Sequence, residues 1–231
     1  MAHHHEEHFQ STNFVKDIVI GMADGLTVPF ALAAGLSGAV DSSTIIVTAG
    51  IAEIAAGSIA MGLGGYLAGR TEVDHYNSEL AREYMEVEQF PDKEREEVIE
   101  VLEQFGVENK MSRAITEEMA KDKEKWVQFM MRFELGLEKP DEKRATKSAF
   151  NIGVAYIIGG FVPLAPYIFD KSAHEALLIS VGVTLVALFI FGFLKAKATG
   201  QPQWGGAIKT MLIGALAASV AFGLAKLIQG I

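Results

Sequence analysis

The chain has 231 residues, half of them hydrophobic, and its mean hydropathy is positive at +0.24. It contains 29 acidic residues against 20 Lys and Arg, which gives a formal net charge of −9. The absence of cysteine excludes disulfides, thiolate metal ligands and cysteine nucleophiles. The acidic balance argues against nucleic acid as a partner, because phosphates would meet no compensating positive charge.

The charges are concentrated in the middle of the chain. Residues 71–147 hold 21 of the 29 acidic residues and 13 of the 20 basic residues. We therefore predict four parts: an N-terminal tail (1–13), a first apolar part (14–70), a charged helical domain (71–147) and a second apolar part (148–231). The tail begins MAHHHEEHFQ, which is acidic rather than basic and so is unlike a cleavable signal peptide.

Five stretches are long and apolar enough to cross a bilayer as helices, which takes about 20 residues each. They predict an all-α integral membrane protein with five transmembrane helices and an inserted helical domain between spans two and three. The spans run approximately over 17–40, 43–67, 149–169, 176–194 and 207–227.

Lys and Arg near the spans predict the orientation, because they favour the cytosolic side. If the spans alternate in direction, nearly all of these residues fall on one side: Lys16, Arg70, Arg144, Lys147, Lys195, Lys197 and Lys209. The link between spans three and four carries only Lys171, and Lys226 can reach the far interface. The N-terminus and the charged domain are therefore predicted to be cytosolic, with Ile231 on the opposite side.

Glycine and other small residues are concentrated in the spans, where Gly57, Met61 and Gly65 lie at steps of four with Gly62 and Gly64 nearby. The sequence Gly214, Ala218 and Phe222 repeats this step in the last span. Small faces let membrane helices approach closely, which favours tight bundling or dimerisation.

Two acidic residues, Asp24 and Glu53, lie well inside predicted spans. A carboxylate in hydrocarbon costs several kcal/mol unless it faces a partner or a wet cavity, so a functional role is the first hypothesis. Glu53 is ten residues into span two, near the midplane, and Met61 follows two turns later on nearly the same face. Asp24 matches the depth of Met61, so the three side chains are predicted to line one two-helix seam.

These donors suit a divalent transition metal. Carboxylate oxygens bind such a cation and can exchange it for protons, and a thioether favours iron-like over calcium-like ions. Alternatives remain for each residue, because a methionine in a span is usually packing and a buried Asp can be a hydrogen-bonded structural group. Both acids together, each with glycines nearby, favour transport.

The charged domain is predicted to be helical. Span two can continue past Arg70 until Pro91, further helices fit 92–105 and 123–135, and a short segment lies between them at 112–122. The helix over 92–105 has an apolar stripe ending at Phe105, and the helix over 123–135 has one ending at Phe133.

Glutamates are stacked on the faces of these helices, where a bound cation would remove their mutual repulsion. A solvated acidic face is the alternative for any single pair, but paired methionines beside them favour metal. The candidate metal ligands are Glu79, Glu83, Glu86, Glu94, Glu97, Met130, Met131 and Glu134.

Two segments, GMADGLTVPFALAAGLSGA and IAEIAAGSIAMGLGGYLAGRTEVDHY, followed by an acidic helical insert and three more spans, closely resemble the vacuolar iron transporter family. The plant-type members are the most similar, and the resemblance extends over nearly the whole chain from about Asn13. The insert distinguishes this type from nodulin-like relatives, which lack it.

The resemblance implies a homodimer with its pathway near the dimer interface, in the vacuolar membrane. It implies exchange of Fe²⁺, in some members Mn²⁺ or other divalent ions, for protons, from cytosol to vacuole. It places the pathway on Asp24, Glu53 and Met61. It places the ligands of the cytosolic metal-binding insert on Glu83, Glu86, Glu94, Glu97, Met130, Met131 and Glu134, whereas Glu79 rests on helical spacing alone. No cofactor and no enzymatic activity are expected.

Two other functions fit part of the pattern, a di-iron carboxylate enzyme and a metal sensor or scaffold. Glutamates at helical spacing also build di-iron carboxylate enzymes such as ferroxidases, but those carry two Glu-x-x-His pairs and only Glu72-x-x-His75 occurs here. A metal sensor or scaffold would leave Glu53 without a role. The choice among Fe²⁺, Mn²⁺, Co²⁺ and Zn²⁺ stays open, because all suit oxygen and sulfur ligands.

Overall fold

A computed structural model describes residues 12–169 and 172–229. The expectations for the histidine-rich tail, for Lys171 and for Ile231 therefore fall outside the described residues. Within those ranges the chain forms eight α-helices, one π-helical turn and no β-strand. The helices are α1 (Thr12–Ala39), α2 (Ser43–Gln89), α3 (Pro91–Gln104), α4 (Asn109–Met119), α5 (Lys123–Phe129), α6 (Arg144–Phe169), α7 (Ala173–Ala198) and α8 (Gln203–Gln229).

Five of these helices, α1, α2, α6, α7 and α8, are long and apolar enough to span a membrane. The predicted fold class, an all-α integral membrane protein with five spans, is confirmed. The helices reach beyond the apolar stretches at several ends, because a helix continues after its residues turn polar. In α2 the apolar span and the charged segment after it form one 47-residue helix, which stops before Pro91 as predicted.

The chain divides into two compact units. One contains the residues up to Leu67 and from Ala145 onward, and the other contains Ala68–Arg144. In the first unit α6 packs closely on both α1 and α2. A Cβ at Gly159 of α6 would lie 3.0 Å from backbone atoms of Gly25 and Leu26 in α1, and one at Gly62 of α2 would lie 2.9 Å from the carbonyl oxygen of Ala149. Glycine at these crossings lets the backbones approach.

The pair α7 and α8 closes the first unit against α1. Phe30 and Ala34 of α1, Leu177 of α7 and Ala218 of α8 belong to one buried cluster. At the other end of the pair, a Cβ at Gly192 would lie 2.7 Å from the carbonyl oxygen of Gly206, so these helices cross there at glycines.

The second unit packs around a core that includes Val98, Trp126, Val127, Met130 and Met131. The predicted helix over 123–135 differs in its second half, where Met130–Glu134 form a π-helical turn. Its widened bonds include the Leu135 amide donating to the Met130 carbonyl at 3.1 Å.

The predicted apolar stripes of α3 and α5 end differently in the structure. Phe105 is 70% exposed and Phe133 is 47% exposed, so neither belongs to the core. Their rings meet edge to face at 6.1 Å. The prediction that both complete the buried stripes is therefore wrong, because Phe105 follows the end of α3 and Phe133 lies in the π-helical turn.

Candidate metal-binding and transport sites

Three carboxylates from two helices meet in the second unit. Glu83 and Glu86 are one turn apart on α2, and Glu94 lies in the first turns of α3. Each offers an oxygen atom within 4.8 Å of an oxygen of the others. Only Phe90 separates the end of α2 from Pro91, which begins α3, and this short connection places Glu94 beside the other two carboxylates. We call these three residues the carboxylate cluster.

The cluster is buried and incompletely hydrogen-bonded. Glu83 is 2% exposed and Glu94 is 1% exposed. Among the described residues, Oε2 of Glu83 and both carboxylate oxygens of Glu94 are buried without a hydrogen-bond partner. Buried, unpaired carboxylate oxygens are costly, and a cation is the partner that would satisfy several of them at once.

The electrostatics of the cluster favour protons or a cation. Burial and the neighbouring charges of Glu134 and Glu86 together raise the pKa of Glu83 from 4.5 to about 7, against the lowering effect of Arg82. Burial likewise raises the pKa of Glu94 to about 7, with added repulsion from Glu97 and Glu83. Two groups that retain protons near neutral pH can exchange them for a metal ion.

The negative charges of Glu97 and Glu134 help to raise the pKa values in the carboxylate cluster. The pKa of Glu134 is raised by desolvation and then by the charge of Glu97. The Lys93 ammonium lies 2.7 Å from Oε1 of Glu97 and 3.9 Å from Oε1 of Glu94. The predicted ligands Glu83, Glu86, Glu94, Glu97 and Glu134 therefore share one electrostatic environment, although only the first three form the close group.

Glu79 has a different partner. Its Oε2 lies 2.6 Å from the Arg82 guanidinium, and its Oε1 lies 3.9 Å from Nδ1 of His75. The same guanidinium lies 3.6 Å from Glu86 through its Nε atom. Glu79 is thus one helical turn outside the cluster, and Arg82 is a counter-charge that the sequence analysis did not single out.

Met130 and Met131 are buried at 0% and 1% exposure and pack in the apolar core of the second unit. Both belong to the π-helical turn that also carries Glu134. Such turns are frequent at functional sites. Core packing alone accounts for their burial, so their role as sulfur ligands stays a prediction.

In the first unit, the Glu53 carboxylate is held by α6. The Tyr156 hydroxyl donates a hydrogen bond to Oε1 of Glu53, whereas Oε2 is buried without a partner among the described residues. Gly57, one turn along α2, leaves room for the ring, since a Cβ there would lie 2.7 Å from Cε1 of Tyr156. Tyr156 was missed by the sequence analysis, because a tyrosine in an apolar span carries no signal of its partner.

Asp24 and Met61 are half-buried in the first unit. The charge of Asp24 acts on Tyr156 of α6, which also binds Glu53. That Asp24, Glu53 and Met61 line one seam stays a prediction.

A further carboxylate, Asp17, is 1% exposed and lies two turns before Asp24 on α1. It accepts hydrogen bonds from Oγ of Ser148 at 2.9 Å and Nδ2 of Asn151 at 3.2 Å. From the sequence, Asp17 was identified only as the start of span one.

The sequence matches known proteins over nearly its whole length. A profile of the VIT family matches residues 15–226. The chain is 52% identical to vacuolar iron transporter 1 of Oryza sativa subsp. japonica over 227 residues, covering 98% of this chain and 90% of the relative. It is 54% identical to vacuolar iron transporter 1 of Arabidopsis thaliana over 229 residues, covering 99% and 92%.

A more distant relative is protein CCC1 of Saccharomyces cerevisiae, which is 36% identical over 233 residues and covers 95% of this chain and 71% of the relative. The names of the plant relatives indicate a transporter rather than an enzyme, in agreement with the sequence analysis. The extent of the profile match and the identity to these relatives together show that the chain belongs to the VIT family.

Proposed function

We propose that this protein moves Fe²⁺ from the cytosol into the vacuole in exchange for protons. Relatives at 52% and 54% identity are named vacuolar iron transporters. The observation that carries the proposal is Glu53, a carboxylate in a membrane-spanning helix. One of its oxygens accepts a hydrogen bond from Tyr156, and the other is buried with no hydrogen-bond partner in the described part of the chain. Such a group in hydrocarbon calls for a cation or a proton.

The proposed sequence of sites begins in the second unit. The carboxylate cluster collects the ion, with Glu97, Glu134 and the two methionines around it as further ligands. Asp24 and Met61 then receive the ion and pass it to Glu53. Protonation of a carboxylate removes the negative charge that holds the metal, so protons from an acidic vacuole release the ion and return to the cytosol.

The central test is uptake into proteoliposomes with an acidic interior. Purified chain carrying Glu53→Gln should take up Fe²⁺ at least about tenfold more slowly than the unmodified chain, because an amide holds a cation far less strongly than a carboxylate. Glu175→Gln is the matched control, since Glu175 is an exposed acid at the start of α7. Uptake by Glu53→Gln at the unmodified rate, with Glu175→Gln also unchanged, would refute the pathway.

Proton exchange is tested separately with the same vesicles. A pH dye inside them should report alkalinisation as Fe²⁺ enters, and collapse of the pH gradient should slow uptake. Fe²⁺ uptake without any dye response would support iron transport and contradict its exchange for protons. Adding Mn²⁺, Co²⁺ or Zn²⁺ as competitors ranks the ions, which ligand type alone cannot do.

We propose that the second unit faces the cytosol, as the positions of Lys and Arg next to the spans indicate. The chain contains no cysteine, so single cysteines report topology directly. In sealed vacuoles a membrane-impermeant maleimide should label Glu100→Cys from outside and leave Glu175→Cys unlabelled. The reverse pattern would contradict the orientation.

We also propose a homodimer joined along α2. Ala52, Ala56, Ala60 and Gly64 recur at steps of four, and all are exposed in the single chain. A small-residue face of this kind lets two membrane helices pack closely. Light scattering in detergent should give twice the chain mass, and Ala60→Leu should shift the protein towards monomer. Monomer mass for the unmodified chain would exclude this dimer.

A further inference from the structure

A cavity of about 340 Å³ lies between the end of α7 and the start of α8. Its lining includes Gly192 and Gly206, where the two helices cross, so the cavity is built by the close approach of two backbones. Lys195 and Lys209 also line it, one from each helix. No site described above uses these residues.

The charged side chains that line this cavity are both lysines. Lys197 lies on the same last turn of α7 as Lys195. In the described part of the chain neither lysine of the lining forms an ion pair, and residues 176–231 contain no acidic residue. An anion is therefore the ligand that this charge pattern attracts.

The surroundings of the cavity are those of a membrane interface. Trp204, at the start of α8, is 67% exposed, and its ring packs on Phe193 at 5.6 Å and on Phe189 at 6.1 Å. Tryptophan is enriched where a spanning helix leaves the hydrocarbon. Ile213 of α8 lines the cavity and is 55% exposed, so apolar surface adjoins the cationic cavity.

We propose that this cavity binds the headgroup of an anionic phospholipid. Lys195 and Lys209 hold the phosphate, and the acyl chains lie along the exposed apolar surface of α7 and α8. Basic pockets between membrane helices hold lipid headgroups in this way. A free phosphate would satisfy the lysines alone, whereas a phospholipid also covers the adjoining apolar residues. The site is separate from Asp24, Glu53 and the carboxylate cluster, and goes beyond the proposed transport.

The test is native mass spectrometry of the full chain in detergent, titrated with phosphatidylinositol or with phosphatidylcholine. The unmodified chain should bind phosphatidylinositol in preference to phosphatidylcholine. The double variant Lys195→Gln/Lys209→Gln should lower the affinity for phosphatidylinositol roughly tenfold to thirtyfold, because each lysine near a lipid surface contributes to anion binding. Lys226→Gln is the matched control and should bind as the unmodified chain does.

A second variant keeps the charge and fills the cavity. Gly205 lines it, and a Cβ at this position would meet nothing within 4 Å, so the backbone there accepts a side chain and Gly205→Leu adds apolar bulk to the cavity wall. It should also lose the preference for phosphatidylinositol. If Gly205→Leu still prefers phosphatidylinositol, the lysines attract the lipid without the cavity, and the proposal that the cavity binds the headgroup is wrong.

Three other outcomes would also overturn the proposal: equal affinity in the double lysine variant, equal binding of phosphatidylcholine, or full competition by inorganic phosphate at the concentration of the lipid. The last would assign the site to a free anion. Glu53→Gln should bind phosphatidylinositol normally, so a failure of the transport proposal and a failure of this one are distinguishable.

Discussion

Tyr156 on α6 donates its hydroxyl hydrogen to the Glu53 carboxylate on α2, so this acid of a membrane-spanning helix is held from a neighbouring helix. The bond occupies one oxygen, and the other is buried with no hydrogen-bond partner among the described residues. One oxygen is then positioned by the protein, and the other can take a cation or a proton. Transport is therefore expected to depend on a residue that carries no charge.

Tyr156→Phe tests this dependence. A hydrogen bond to a charged group contributes about 1.5–3 kcal/mol, so its loss should slow Fe²⁺ uptake roughly tenfold or more, with a raised KM. Proteoliposome uptake across a range of Fe²⁺ concentrations measures both quantities.

The matched control is Tyr167→Phe, on the same helix. Tyr167 is also buried, but its hydroxyl is 2.8 Å from Oγ of Ser37 rather than from a carboxylate. This variant should transport normally. Equal losses in the two variants would mean that the effect is one of helix packing and not of Glu53.

Metal binding by the carboxylate cluster should depend on pH. The pKa values of Glu83 and Glu94 are raised to about 7, so both groups retain protons that a metal must displace as pH falls. Apparent affinity should rise with pH up to about 7 and then level off, with a decrease of roughly 10- to 100-fold from pH 7.5 to pH 6. Calorimetry of the full chain with Mn²⁺ at both pH values measures the change.

The same titration separates the cluster from the general acidity of the domain. Glu83→Gln should weaken binding at pH 7.5 and flatten the pH dependence. Glu100→Gln removes an exposed acid of α3 and should change neither. An affinity that is constant between pH 6 and pH 7.5 would contradict the raised pKa values.

Without metal, the cluster should destabilise its own surroundings. A pKa raised in the folded state means that the contribution of Glu94 to stability is greatest below its ordinary pKa of 4.5 and is lost as pH rises to about 7. Glu94→Gln should therefore stabilise metal-free α3 by about 1–3 kcal/mol at pH 8. Amide hydrogen exchange in the full chain reports this local stability, and faster exchange in α3 than in the unmodified chain would be the contrary result.

The number of spans and the continuation of α2 to Gln89 were predictable, because both depend on local composition and on where proline interrupts a helix. The stacking of Glu83 and Glu86 was predictable for the same reason, since helical spacing fixes it. The exposure of Phe133 was not, because it depends on the π-helical turn, which has no local sequence signal.

Contacts between helices were beyond prediction even where both partners lay within predicted helices. Nothing in the spacing of α6 indicates that Tyr156 faces Glu53, or that Ser148 and Asn151 hold Asp17. From the sequence, Asp17 was assigned no role beyond the start of span one. Rotation of each helix about its axis decides these contacts, and packing against glycines on neighbouring helices sets that rotation.

The crossing of α1 and α6 at Gly25 and Gly159 should tolerate little added volume. A Cβ at Gly159 would lie 3.0 Å from backbone atoms of Gly25 and Leu26, which cannot move aside as a flexible side chain can. Gly159→Ala should lower stability by about 1–3 kcal/mol through overpacking, measured as thermal unfolding in detergent.

Gly159 lies one turn after Tyr156, so the displaced α6 should also loosen the bond to Glu53 and slow Fe²⁺ uptake. Gly182→Ala is the control, because a Cβ there meets nothing within 4 Å, and the better helix former should leave stability unchanged or raise it by up to about 1 kcal/mol. Full stability and full uptake in Gly159→Ala would show that α1 and α6 can separate without cost. The close crossing would then have no part in holding Tyr156 against Glu53.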